Sequence, residues 1–240
     1  MIKKILFSLI FSLTIGLLPG QSIEDRVQTD YEDAQIISTF SVPMVAPTNN
    51  EQAMHSYNRG TTYLWENRLE DAERYLLEAI ELDPFFVDAM DHLGLVYRRQ
   101  NRLNEAEEMY LRSISINDQN KVPYQNLAIV YRFQNRLNDA FELYRTLIIL
   151  DENDPEGYYG IGELFFIVGN NEDALVFFDR AIQLYYEMDS VLIFNAFYYK
   201  GMILYRLNRY EEALLFLQEA RTVHTENMTL LNAINDILNR

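Results

Sequence analysis

The sequence predicts an all-α solenoid of about five helical hairpins, closed by one further helix. Three observations carry that prediction. Small residues recur every 34 positions at Gly60, Gly94, Ala128 and Gly162, and again at Ala72, Ala106, Ala140 and Ala174. An aromatic ring keeps the same interval at Tyr63, Tyr97, Tyr131 and Phe165. The tripeptide Asn-Arg-Leu returns at 67–69, 101–103 and 135–137, each time between two amphipathic stretches. One hairpin is too thin to bury its own apolar face, so each copy needs its neighbour.

Taken in order, residues 1–22 read as a secretory signal peptide. Lys3 and Lys4 precede an apolar run of about 14 residues, short for a span of ~20, and Gly20 and Ser22 are small residues placed for cleavage. An uncleaved N-terminal anchor is the alternative. Residues 23–50 carry acids first and then Pro43 and Pro47, with no helical period, and read as an extended or disordered tether. Its apolar piece, 36–45, docks on the first hairpin or meets another protein.

The array follows over 51–227, as hairpins at 53–86, 87–120, 121–154, 155–188 and 194–227. In the first, Ala72, Tyr75, Leu76, Ala79, Ile80 and Leu82 form one apolar stripe, and Pro84 stops the helix because it has no N–H to donate. Asn67, Asn101 and Asn135 suit the left-handed conformation that ends a helix. The fifth copy, with Gly201, Asn208-Arg209-Tyr210 and Ala213, comes 39 residues after the fourth, the extra residues falling around 185–192. Residues 228–240 read as a capping helix, with Leu230, Leu231, Ile234, Ile237 and Leu238 on one face. No comparable cap precedes the first hairpin, so its outer face is expected to be covered by 36–45 or by a second subunit, which makes a homo-oligomer through this hairpin possible.

These small residues, aromatics and turns resemble the tetratricopeptide repeat family over roughly residues 53 to 227. The resemblance implies a right-handed superhelical solenoid. Its groove would be lined by the first helix of each repeat and would hold a peptide or helix of a partner protein.

Composition narrows the function. The formal charge is −16, with 36 acids against 20 lysines and arginines. Removal of the leader takes two lysines and no acid, leaving −18. That argues against a nucleic acid or an anionic membrane face as partner. The chain has no cysteine, which removes disulfides, thiol catalysis and cysteine-held zinc. His55, His92 and His224 are scattered. No catalytic set or phosphate loop stands out, so neither an enzyme nor a cofactor is expected.

Mapped by repeat register, the groove contains Tyr57, Asp91, Leu95, Arg98, Gln125, Ile129, Arg132, Tyr159, Glu163, Phe166, Tyr198, Met202 and Arg206. Arg98, Arg132 and Arg206 are placed in one slot, where they hold a partner's carboxylates or pair within the protein. Tyr57, Tyr159 and Tyr198 share another, suited to recognition or to packing. The turn arginines Arg68, Arg102, Arg136 and Arg209 read as a solvated edge. The functional expectation is an exported, periplasmic or envelope-associated bacterial scaffold or adaptor. The alternative is a small-ligand-binding accessory of a transport system.

Overall fold

A computed structural model describes residues 48–222 and 226–240 of the chain. The leader, the tether up to residue 47 and His224 lie outside those residues. Eleven helices and no strand make up the described part. They pair as α1 (Glu51–Trp65) with α2 (Leu69–Leu82), α3 (Val87–Arg99) with α4 (Leu103–Ile116), and α5 (Lys121–Phe133) with α6 (Leu137–Leu150). The last two hairpins join α7 (Pro155–Val168) to α8 (Asn171–Glu187) and α9 (Ile193–Arg206) to α10 (Tyr210–Arg221), and α11 (Met228–Leu238) closes the array. Each second helix packs on the first helix of the next hairpin, giving a superhelical solenoid.

The turns explain the repeat. Asn67, Asn101, Asn135 and Asn208 all have φ near +60°, and Gly169 takes the equivalent place at +81°. That left-handed residue lets the next N–H reach back into the helix. Arg68 donates to the Tyr63 carbonyl at 2.8 Å, Arg102 to Tyr97 at 2.8 Å and Arg136 to Tyr131 at 2.8 Å. Asparagine tolerates this backbone at lower cost than other side chains with a Cβ.

The 34-residue small positions mark helix crossings. A Cβ on Gly94 would stand 2.7 Å from the ring of Tyr110, and one on Gly60 would stand 2.7 Å from Leu76. Leu76, Tyr110, Tyr144, Phe178 and Leu217 form the matching series on the second helices. Tyr110 and Phe178 are fully buried. Where the third hairpin carries Ala128, the ring of Tyr144 lies against Gly160 of the next one.

Two expectations need correction. The turn arginines are not merely a solvated edge. Arg68, Arg102 and Arg136 stack on Tyr63, Tyr97 and Tyr131 at 4.2, 4.2 and 3.9 Å. Each also pairs with the acid three residues on, and Arg102 and Arg136 reach back to Glu73 and Glu107 of the preceding hairpin. In α11, Leu230 and Ile234 are buried but Leu238 is exposed, and Asp236 accepts from Tyr205 at 2.8 Å. The segment 36–45, expected over the first hairpin, lies outside the described residues; one side of α1 carries Glu51, His55, Asn58, Arg59 and Thr62, all exposed and polar. The insertion falls at 185–192 as expected: α8 runs to Glu187, past the position equivalent to Leu82, Ile116 and Leu150, before Asp189 turns the chain at φ 50°.

Candidate protein-binding groove

The first helices α1, α3, α5, α7 and α9 stand side by side along the array. Tyr57 lies across the first junction. Its ring is 4.9 Å from Phe86 and its hydroxyl 3.4 Å from Nδ1 of His92, and burial pushes that hydroxyl's pKa up. It is a packing residue between hairpins.

Asp91 faces the second junction from within. It is 5% exposed and accepts a 2.9 Å hydrogen bond from the Asn120 amide. Burial raises its pKa to about 6, with the Asn120 hydrogen bond pulling the other way. Around it, Asp91 Oδ1, the Tyr110 hydroxyl, Ser113 Oγ and Arg98 Nε are buried without a hydrogen-bond partner. Arg98 donates to Asn126 at 3.3 Å. Leu95 and Ile129 lie half-buried on neighbouring helices at one register.

The next two junctions are polar and closed on themselves. Gln125 donates to Glu156 at 2.6 Å, and Tyr185 donates to the other Glu156 oxygen at 2.7 Å. Burial raises the Glu156 pKa, against the Tyr185 hydrogen bond. Arg132 forms a two-point pair with Glu163, its second bond 3.3 Å long. Glu163 is 7% exposed. Tyr159 sits among Phe178, Tyr185 and Tyr199 at 5.7, 6.3 and 5.9 Å, and burial drives its hydroxyl far above the ordinary tyrosine range. Tyr199 also stacks on Phe178 at 5.3 Å and meets Phe166 and Tyr198 edge-on.

Several predicted groove residues therefore cannot reach a partner. Asp91, Glu163 and Met202 are buried. Arg132 is committed to Glu163, because an arginine at a water-poor junction takes the carboxylate that shares its burial. Arg206 does not share the slot of Arg98 and Arg132. Register from Gly201 puts Tyr205 there, and Arg206 falls one residue on, in the slot of Arg99, exposed and 3.9 Å over the Phe166 ring. Leu95, Ile129, Phe166 and Tyr198 remain partly accessible.

Sequence reasoning missed two sets. Glu156, Tyr185 and Tyr199 complete the closed cluster; their signal was present in the repeat slots next to those mapped. The other set is the last-turn slot of the first helices, Trp65, Arg99, Phe133 and Ile167, all exposed. Large apolar side chains one residue past the mapped stripe were the available sign. Among the described residues no cluster of three or more histidine, cysteine or acidic side chains could hold a metal ion, and no helix is long and apolar enough to cross a membrane.

Two family models, each described as tetratricopeptide repeat, match residues 57–121 and 155–226. No curated protein matches the sequence. Among solved structures, the chain superposes on the Cut9–Hcn1 hetero-tetramer of the APC/C with a TM-score of 0.71 at 18% identity, covering 88% of this chain and 39% of that one. It matches PilF of Pseudomonas aeruginosa at 0.70 and 18%, covering 79% and 84%. YrrB, described as a repeat protein with an unusual peptide-binding site, matches at 0.55 and 24%, covering 77% and 93%. The chain thus spans well under half of the first of these.

Proposed function

This chain belongs to the tetratricopeptide repeat family, a protein–protein interaction scaffold, and we propose that it is an exported scaffold of the bacterial envelope. In this reading a partner protein lies along its first helices. The observation that carries it is the run of accessible apolar side chains at Leu95, Ile129 and Phe166, continued by exposed Trp65, Phe133 and Ile167. An apolar strip along one side of an acidic array is a surface for another chain, since burial there removes apolar area from water. YrrB, of similar fold, is described as having a peptide-binding site. The export part rests on the leader: Lys3, Lys4, the apolar run and the small residues at 20 and 22.

The test uses the full chain, tagged at its C-terminus and expressed in its own source. Export predicts a purified protein shortened by about 20 residues at the N-terminus and recovered from the envelope fraction; an intact N-terminus in the cytosol would sink that part. A variant with Leu95→Asp and Ile129→Asp, verified as folded by circular dichroism, is run beside it. A protein retained by the chain and lost by this variant supports the groove. Identical retention by both places binding elsewhere. If neither retains a protein, the small-ligand alternative displaces the scaffold.

A further inference from the structure

The last turn of each first helix puts one exposed residue at the same register: Trp65, Arg99, Phe133, Ile167 and Arg206. The spacing is 34 residues and then the 39 of the insertion. Trp65 and Phe133 are each 67% exposed and Ile167 50%. The guanidinium of Arg99 lies 5.7 Å over the Trp65 ring, so neighbouring members of the row are in contact.

The charges on this row are held differently from those of the turns and from Arg132. The turn arginines Arg68, Arg102, Arg136 and Arg209 each hold a carboxylate, and Arg132 holds Glu163. Among the described residues, Arg99 bonds only to the Leu64 carbonyl, at 3.3 Å, and Arg206 only stacks on Phe166. Among the described residues, these two arginines on an exposed apolar row pair with no carboxylate. A solvated arginine on an aromatic face keeps its fork of donors free for a bidentate acceptor.

We propose that this row is the recognition strip of the groove and takes an amphipathic segment of another protein, with large apolar side chains beside carboxylates. The proposal rests on the groove reading above and narrows it. Trp65, Phe133 and Ile167 supply the apolar contact, and Arg99 and Arg206 select acidic over basic partners. The overall charge of the array points the other way, so local charge complementarity is what the proposal stakes.

Trp65 is the chain's single tryptophan, which makes it a reporter on the strip. The full chain is titrated with three synthetic 15-residue peptides that lack tryptophan. They share one apolar helical face of leucine and phenylalanine and differ only in carrying glutamate, glutamine or lysine opposite. The glutamate peptide should shift Trp65 emission to shorter wavelength saturably, at least about tenfold tighter than the glutamine peptide, and more weakly as salt rises. The lysine peptide should not bind. Arg99→Gln alone should weaken the discrimination, Arg99→Gln with Arg206→Gln should remove it and Arg99→Glu with Arg206→Glu should reverse it, while all variants keep the helical spectrum of the parent.

Charge-blind binding, preference for lysine, no binding by any peptide, or binding that leaves Trp65 emission unchanged would each overturn the proposal. So would a Trp65 shift on concentrating the chain alone, with a doubled mass, since a second copy would then cover the strip. If the peptides fail while the Leu95→Asp, Ile129→Asp variant still loses an envelope partner, the groove stands and only this strip falls.

Discussion

Arg132 of the third hairpin and Glu163 of the fourth close a two-point ion pair across the junction of α5 and α7, with Glu163 almost wholly buried. Removing one partner leaves the other charge in a water-poor site. Glu163→Ala should therefore cost about 3–5 kcal/mol. Urea denaturation checks this, and a loss below about 1 kcal/mol would mean that Arg132 is solvated after all. Arg132→Glu brings two carboxylates together and should also destabilise the array, so loss of a partner in that variant would say nothing about the groove.

Tyr110 fixes the sign at Gly94. A methyl group there collides with a ring that is fully buried and cannot withdraw. Gly94→Ala should lose about 1–2 kcal/mol, overpacking outweighing the better helix propensity of alanine. At Gly162 the nearest atoms of Phe178 are 3.2 Å away, so Gly162→Ala should cost less. Unfolding midpoints in the reverse order would refute this account of the crossings.

The turn asparagines separate backbone from side-chain effects. Asn101 has φ +60° and an exposed side chain. Asn101→Gly should be neutral or slightly stabilising, and Asn101→Val should lose roughly 1–2 kcal/mol because its branched Cβ resists the left-handed backbone. Equal stability of the two variants would show that the turn is set by something other than this residue.

Asp91 gives the array an acid-side response. Its folded pKa of about 6 lies above the unfolded value of about 3.9, so only the folded state is penalised for its charge. The penalty is absent below pH ~4, grows between ~4 and ~6, and is complete above. Stability should rise as pH falls from 7 toward 5. It should decline again below about 4, as carboxylates held down by arginines take up protons: Asp71 by Arg68, and Glu212 by Arg209. Asp91→Asn should gain up to about 3 kcal/mol at pH 7 and nothing near pH 4. A variant with the same pH profile as the parent would remove Asp91 from this role.

The groove shows where register alone stops. Arg98 and Arg132 share a slot, yet Arg132 meets Glu163 and Arg98 meets Asn126. The difference lies in what the following hairpin offers, 31 and 28 residues further along the chain. Tyr57 and Tyr159 also share a slot; one packs on Phe86 and His92 while the other sinks into a cluster of rings.

The hairpins, their turns and their crossings are legible in the spacing of residues along the chain. Those features depend on what a residue can do with its own backbone and on the size of its side chain. Asn67 can turn left-handed and Gly94 can admit Tyr110 wherever they occur. Which charges are paired and which stay available follows from how the hairpins pack in space. That Arg132 is paired while Arg99 and Arg206 hold no carboxylate among the described residues depends on distances between hairpins, and electrostatic pairing follows distance in space, not position in a repeat.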